Sequence, residues 1–179
     1  MKTVASVNLT LGDVREDAVI KRAFQIKEAA DEALNLERIE QEAALLHTAR
    51  TSRKLYKIAL EPSSLAEAAM RDMSNRARLS ELKTRVYVQR SAIENAYEQC
   101  SAHVATKYST LIRKYATNAA DRKLVLNKIL RPLVSATAEM DSTLNLLEIY
   151  IKDIDAAAWA LRNATEMLKL LMDNRGKAV

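Results

Sequence analysis

The chain has 179 residues, of which 28 are Lys or Arg and 23 are Asp or Glu, so its formal net charge is +5. It contains only two Gly and two Pro, against roughly 7% and 5% in average proteins. The turns of β-sandwiches, β-barrels and doubly wound α/β folds need these residues, so such folds and glycine-rich phosphate loops are nearly excluded. We predict an all-α fold, an elongated bundle of three long antiparallel helices with coiled-coil-like packing.

The N-terminal residues 1–12 are predicted to form a short extended arm. Val7, Leu9 and Leu11 alternate with polar residues in its sequence, which is the pattern of a half-buried strand. A lone short strand is not stable by itself. The arm is therefore either disordered or paired with another chain. The remaining residues, 13–176, are predicted to form one helical-bundle domain.

The three helices are predicted from their capping signals to span about 13–60, 64–116 and 119–175. Ser64 and Glu67 have the spacing of a capping box at the start of the second helix. Asn118 and Asp121 supply the next cap signal, and Gly176 is a typical helix stop. Pro132 cannot donate a backbone hydrogen bond, so we expect a kink or a break near it.

The third helix carries a strict heptad pattern of fourteen positions, here called the seam, of which twelve are apolar. This pattern is typical of helices that supercoil around one another. The six seam residues chosen as candidates for the core or for an oligomer interface are Leu144, Leu147, Ile151, Ile154, Leu161 and Leu168. Trp159 lies next to the seam and is expected either to anchor the core or to bind a partner, with the core favoured.

Charge is distributed unevenly along the chain. Residues 1–49 carry 6 basic and 9 acidic side chains, residues 50–131 carry 17 and 7, and residues 132–179 carry 5 and 7. Cations and tyrosines concentrated in the middle suit a nucleic-acid groove, but they also suit a solvated helix face or contacts with acidic helices. The candidate binding residues are Arg76, Lys83, Arg85, Arg90, Lys107, Arg113, Lys114, Arg122 and Lys123.

No catalytic signature is present in the sequence. His47 and His103, the two histidines, lack a partner at the spacing of a helical metal site. Cys100 continues an apolar heptad stripe, which favours a buried structural thiol over a nucleophile. We therefore expect no enzyme activity, no cofactor, no metal and no small-molecule substrate. Because no apolar run reaches the roughly 20 residues that span a bilayer and no signal peptide is evident, we expect a cytoplasmic protein without membrane insertion.

The leading hypothesis for function is a non-enzymatic structural protein that forms homo-oligomers or docks into a larger macromolecular complex. The alternative is an accessory protein that binds or loads single-stranded nucleic acid, independently of sequence, during replication or recombination. A continuous exposed strip of cations beside Tyr87 or Tyr108 would favour nucleic acid. Pairing of the cations with acidic residues on neighbouring helices would favour assembly; those considered are Glu28, Glu37, Glu148 and Asp155.

Overall fold

A computed structural model describes residues 11–49 and 61–175. Within these ranges 93% of the residues are helical and no strand occurs, which confirms the all-α fold. Residues 1–10 of the expected N-terminal arm and residues 50–60 of the predicted first helix lie outside the described residues. The last two residues of the expected arm, Leu11 and Gly12, begin a helix.

The described residues form seven helices in place of the three that the sequence predicts. They are α1 (Leu11–Arg15), α2 (Ala18–Ala33), α3 (Leu36–Thr48), α4 (Pro62–Lys107), α5 (Ser109–Tyr115), α6 (Ala119–Ile129) and α7 (Arg131–Arg175). Two of them, α4 with 46 residues and α7 with 45, have the length that the heptad patterns suggest.

Two polar residues divide the predicted first helix. Asp17 and Asn35 have extended backbones, with ψ of 137° and 95°, and each is the N-cap of the helix that follows. The Asp17 carboxylate accepts a hydrogen bond from the backbone N–H of Val19, and the Asn35 side chain accepts one from that of Arg38, both at 2.9 Å. These side chains satisfy backbone donors that a new helix leaves unpaired.

The second helix begins two residues before its predicted start and ends nine residues before its predicted end. Pro62 is the first residue of α4, a position where the missing N–H of proline has no intrahelical acceptor anyway. After Lys107, Tyr108 leaves the helical conformation, and the short helix α5 follows. Asn118 caps α6 by accepting a hydrogen bond from the backbone N–H of Asp121 at 2.7 Å, as the cap signal indicates.

The predicted third helix is interrupted just before Pro132. Helix α6 ends at Ile129, and α7 begins at Arg131, so that Pro132 occupies the first turn of α7. In the first turn a backbone N–H has no intrahelical acceptor, and the proline costs no hydrogen bond there. The backbone N–H of Leu130 still bonds the carbonyl of Leu126 at 2.9 Å. Helix α7, which carries most of the seam, therefore begins without the loss of a backbone hydrogen bond at Pro132.

The described residues divide into two compact units, and each is built from two separate stretches of chain. The first unit holds the residues up to Leu34 together with Tyr87–Asp141, and the second holds the residues from Asn35 to Val86 together with those from Ser142. Each unit has its own fully buried core. The largest buried side chains include Ile20, Ile93, Val104, Leu130, Leu133 and Met140 in the first unit, and Leu79, Leu82, Leu147 and Ile154 in the second.

No helix in the described part of the chain is long and apolar enough to cross a bilayer.

A buried carboxylate connects the start of α2 to the end of α4 in the first unit. The Asp17 side chain is 2% exposed, and its Oδ2 accepts hydrogen bonds from Lys107 Nζ at 2.6 Å and Tyr108 Oη at 2.8 Å. His103 Nε2 lies 3.2 Å from the same oxygen. The hydrogen bond from Lys107 is the largest influence and holds the pKa of Asp17 well below its usual range, against the opposing effect of burial.

We predict that Asp17→Asn reduces the free energy of unfolding by about 2 kcal/mol at pH 7, because charge-assisted hydrogen bonds are lost while the N-cap is kept. A carboxylate whose pKa is lowered by folding stabilises the protein above its unfolded-state pKa and loses that effect as the pH falls. The difference between the wild type and the variant should therefore shrink below about pH 4. Urea denaturation at a series of pH values measures it.

The matched control is Asp31→Asn, because Asp31 is exposed and forms an ion pair with Lys27 on the same helix. Its effect should stay within about 0.5 kcal/mol. A difference between Asp17→Asn and the wild type that is the same at pH 7 and pH 2 would contradict the ionic role of Asp17.

Candidate partner and nucleic-acid interface

Three of the nine candidate cations form ion pairs between α4 and α7, here called the ion ladder. Successive pairs step seven residues forward along α4 and seven back along α7: Arg76 with Asp155, Lys83 with Glu148, and Arg90 with Asp141. The nitrogen–oxygen distances are 2.5, 3.3 and 2.9 Å in that order. Since one number rises as the other falls, the paired segments of α4 and α7 run in opposite directions.

Carboxylates of α7 neutralise the ladder cations. Hydrogen bonds to Asp155 and Asp141 raise the pKa values of Arg76 and Arg90. Lys152, one turn away on α7, and then Lys83 lower the pKa of Glu148. Two of the carboxylates named by the sequence criterion, Glu148 and Asp155, are thus the observed partners. This pairing is the arrangement that favours assembly over a nucleic-acid strip on α4.

Helix α3 joins the second unit through polar contacts of the same kind. Arg78 on α4 donates to Glu42 at 2.6 Å, and this contact is the main cause that lowers the pKa of Glu42. The imidazole of His47 lies 2.8 Å from Asp153 and stacks on Tyr150, with 4.1 Å between the ring centroids. The buried His47 and the half-buried Glu42 therefore hold α3 against α7 and α4, respectively.

The remaining candidate cations fall into two groups. Lys107 is bound to Asp17, and Arg85 is exposed on α4 close enough to Glu42 to lower its pKa. The other four lie on α5 and α6: Arg113, Lys114, Arg122 and Lys123. None of these four has a carboxylate within 4 Å in the part of the chain that the structure describes.

Tyr87 and Tyr108, the two tyrosines that the sequence analysis names for a nucleic-acid strip, differ in exposure. Tyr87 is 57% exposed, whereas Tyr108 is buried with its hydroxyl on Asp17. Near the unpaired cations, Tyr115 at the end of α5 is 56% exposed. The exposed aromatic ring closest in sequence to the free cations is therefore Tyr115, which the sequence analysis did not single out.

The six candidate seam residues are partly or fully buried within the chain. Leu147, Ile154 and Leu161 are buried, and the other three are half-buried: Leu144, Ile151 and Leu168. Near the end of α7, Leu161 and Leu168 pack against Leu65 and its neighbours at the start of α4. The seam is thus occupied up to this point by helices of the same chain.

The last part of α7 is exposed on several sides. Trp159 is 66% exposed, so the expectation that it packs in the core is wrong. Large apolar side chains follow it on α7, and together they form what we call the α7 patch: Trp159, Met167, Leu170, Leu171 and Met172, each between 61% and 68% exposed. Met167 lies eight residues after Trp159, and Leu170 lies three residues after Met167, so these three side chains are on one helix face.

The described residues hold no group of three or more His, Cys, Asp or Glu side chains that could bind a metal ion. Cys100 is buried, as expected; it donates a weak hydrogen bond to the carbonyl of Val19 at 3.7 Å, and burial raises its pKa. His103, one turn along α4, contacts Asp17. A thiol held in the protonated form is a poor nucleophile.

Comparison with protein families, with curated proteins and with solved structures finds no match to the chain. What the protein does is therefore inferred from its own residues: the cations that carboxylates neutralise, the cations they leave unpaired, and the apolar side chains left exposed.

We predict that Arg76→Glu lowers the free energy of unfolding by about 1 kcal/mol, because it places like charges opposite each other at a half-exposed site. Adding Asp155→Arg should restore most of the loss by reversing the pair. Urea denaturation of both single variants and the double variant measures the coupling. Additive effects of the two substitutions would show that this ladder pair makes no energetic contribution.

Proposed function

We propose that the protein is a non-enzymatic structural subunit that assembles with further copies of itself through the end of α7. The α7 patch is the observation that carries this proposal. Within the patch, Trp159, Met167 and Leu170 lie on one helix face, and exposed apolar surfaces of this kind are typical of protein interaction sites. Tryptophan is enriched among the residues that contribute most to binding, and Trp159 is the only one in the chain.

The seam supports a helical partner for this surface. Leu161 is 3% exposed, whereas Met172, further along the same heptad pattern, is 64% exposed. Continuing the ladder spacing places Pro62, the first residue of α4, opposite Lys169. The last turn of α7 therefore lies beyond the start of α4, and another helix can supply the packing that the heptad pattern requires.

The charges beside the patch support a second copy of the chain. Four exposed residues, spaced four, three and four apart, form one stripe on α7: Arg162, Glu166, Lys169 and Asp173. If two copies pair in opposite directions about a point between Met167 and Leu168, Arg162 meets Asp173 and Glu166 meets Lys169. Such self-complementarity is what a two-fold symmetric interface requires.

Within each copy we propose that α3 and the paired parts of α4 and α7 pack as an antiparallel three-helix bundle. The ladder supports opposite directions for α4 and α7. The contacts from α3 support the third member, since Glu40 accepts from Thr143 and His47 contacts Asp153 further along both helices. This bundle would hold the α7 patch at a fixed place on the second unit.

We predict that the wild type self-associates at micromolar concentrations and that the double variant Met167→Glu, Leu170→Glu weakens association at least about tenfold, because charged side chains replace buried apolar ones. Sedimentation equilibrium measures both. Leu124→Glu is the matched control, because Leu124 is equally exposed, at 66%, but lies on α6.

A second pair of variants tests the symmetric pairing. Glu166→Lys should weaken association by opposing Lys169 of the other copy, and adding Lys169→Glu should restore it. A wild type that remains monomeric throughout the concentration range contradicts the proposed self-assembly.

A second candidate function is sequence-independent binding of single-stranded nucleic acid, and the unpaired cations favour it. Residues 109–131 contain six basic side chains and one acidic side chain. That acidic residue, Asp121, accepts a hydrogen bond from Asn118 at 2.7 Å. A basic surface with an exposed tyrosine can neutralise phosphates and stack a base.

We predict that Lys114→Gln, Lys123→Gln reduces the affinity for a labelled mixed-sequence single-stranded oligonucleotide and lowers the salt dependence by roughly 0.7 per lost phosphate contact. Fluorescence anisotropy across a salt series measures both. The control Arg76→Gln, Lys83→Gln removes the same formal charge where carboxylates already neutralise it, and it should change the affinity little. Equal losses in the two double variants would point to net charge alone.

A further inference from the structure

Two arginines of the first unit line one small cleft. The cleft has a volume of about 130 Å³ and lies between the end of α4, α5 and α6; its lining residues are Ala105, Ser109, Ile112, Arg113, Arg122 and Leu126. Apart from the two arginines and the serine, its lining residues are apolar. Neither arginine has a carboxylate within 4 Å in the ranges that the structure describes.

The donors at this cleft are not fully used by the protein. Arg122 donates through Nη2 to the carbonyl of Thr117 at 2.7 Å, while its Nε is buried and has no hydrogen-bond partner. Ser101, one turn before Ala105 on α4, also has a buried hydroxyl without a partner, although it does not line the cleft. Buried donors are nearly always paired, and a guanidinium group with an unused N–H keeps the capacity to bind a further acceptor.

The charge around the cleft restricts the chemistry of that acceptor. The segment 109–131 carries six cations and one carboxylate, and that carboxylate is engaged by Asn118. A neutral acceptor would leave the charges of Arg113 and Arg122 without compensation. An anion with several oxygens satisfies both of them, since arginine presents a planar fork of donors that matches phosphate and carboxylate groups.

We propose that this cleft binds a phosphate group, held by Arg113 and Arg122 with the Ser109 hydroxyl as a third donor. The Thr117 carbonyl holds Arg122 through Nη2, and Arg113 is exposed at the cleft, so the two guanidinium groups are the proposed donors. The group can belong to a free phosphate or to the backbone of a nucleic acid. The site is a property of the first unit and does not depend on self-assembly through α7, nor on whether the chain binds oligonucleotides.

The test follows the arginine side chains directly. We expect inorganic phosphate, titrated at constant ionic strength against chloride, to shift the Nε–Hε signals of Arg122 and Arg113 in ¹H–¹⁵N spectra of the full chain. Arg113→Gln should weaken phosphate binding roughly tenfold or more, as expected for loss of a charge-assisted hydrogen bond. The matched control Arg22→Gln removes the same charge from an exposed arginine of the same unit that lies on α2 and does not line the cleft, and should change the affinity less than twofold.

A labelled single-stranded oligonucleotide distinguishes the two sources of phosphate. If Arg113→Gln weakens oligonucleotide binding more than Arg22→Gln and inorganic phosphate competes, the cleft takes a backbone phosphate. If inorganic phosphate binds at Arg113 and Arg122 but the oligonucleotide does not compete, the ligand is a free phosphate. Shifts that chloride reproduces, or equal effects of the two variants on phosphate affinity, would overturn the proposal.

Discussion

The register between α4 and α7 is the constraint on which the remaining contacts depend. The heptad repeat keeps one side of α4 facing one side of α7. The ladder charges favour the observed register over the other registers that the repeat allows. A slip of three residues in one direction would place Arg76 opposite Lys152, and a slip of four in the other would place Lys83 opposite Lys152. Each exposed pair contributes little free energy. In the slipped registers, however, like charges would lie opposite each other and raise the free energy, so the charges make the observed register specific.

This register also divides the basic middle of the chain into two parts. The cations at heptad spacing on α4 meet carboxylates of α7, and Lys107 at the end of α4 meets Asp17. The cations on α5 and α6 come after the continuous heptad pairing has ended and keep their charge unpaired among the described residues. Residues 109–131 carry six basic side chains and one acidic side chain, whereas the α7 patch lies in the other unit. The proposed assembly surface and the proposed anion site therefore use different residues.

The sequence predicts the helical class, the cap at Asn118, the interruption near Pro132 and the apolar seam, because these depend on local spacing and on apolar periodicity. It does not predict that α4 begins at Pro62, two residues before the expected capping box of Ser64 and Glu67. It does not predict the breaks at Asp17 and Asn35. Both residues are good N-caps, yet nothing local decides whether a polar residue caps a new helix or stays on the exposed face of a longer one. For Asp17 the deciding contacts come from Lys107 and Tyr108, about ninety residues away.

The interleaving of the two units has a consequence for how the chain folds during its synthesis. Neither unit is contiguous: the second unit opens with α3 but needs the part of α7 that begins at Ser142, and the first needs both α2 and α6. While the ribosome is still translating α5, the carboxylates that pair with Arg76 and Lys83 have not been made. Helix α4, which has seven basic and five acidic side chains, must therefore remain without these partners until α7 is made, and the late appearance of α7 is the step that completes the second core.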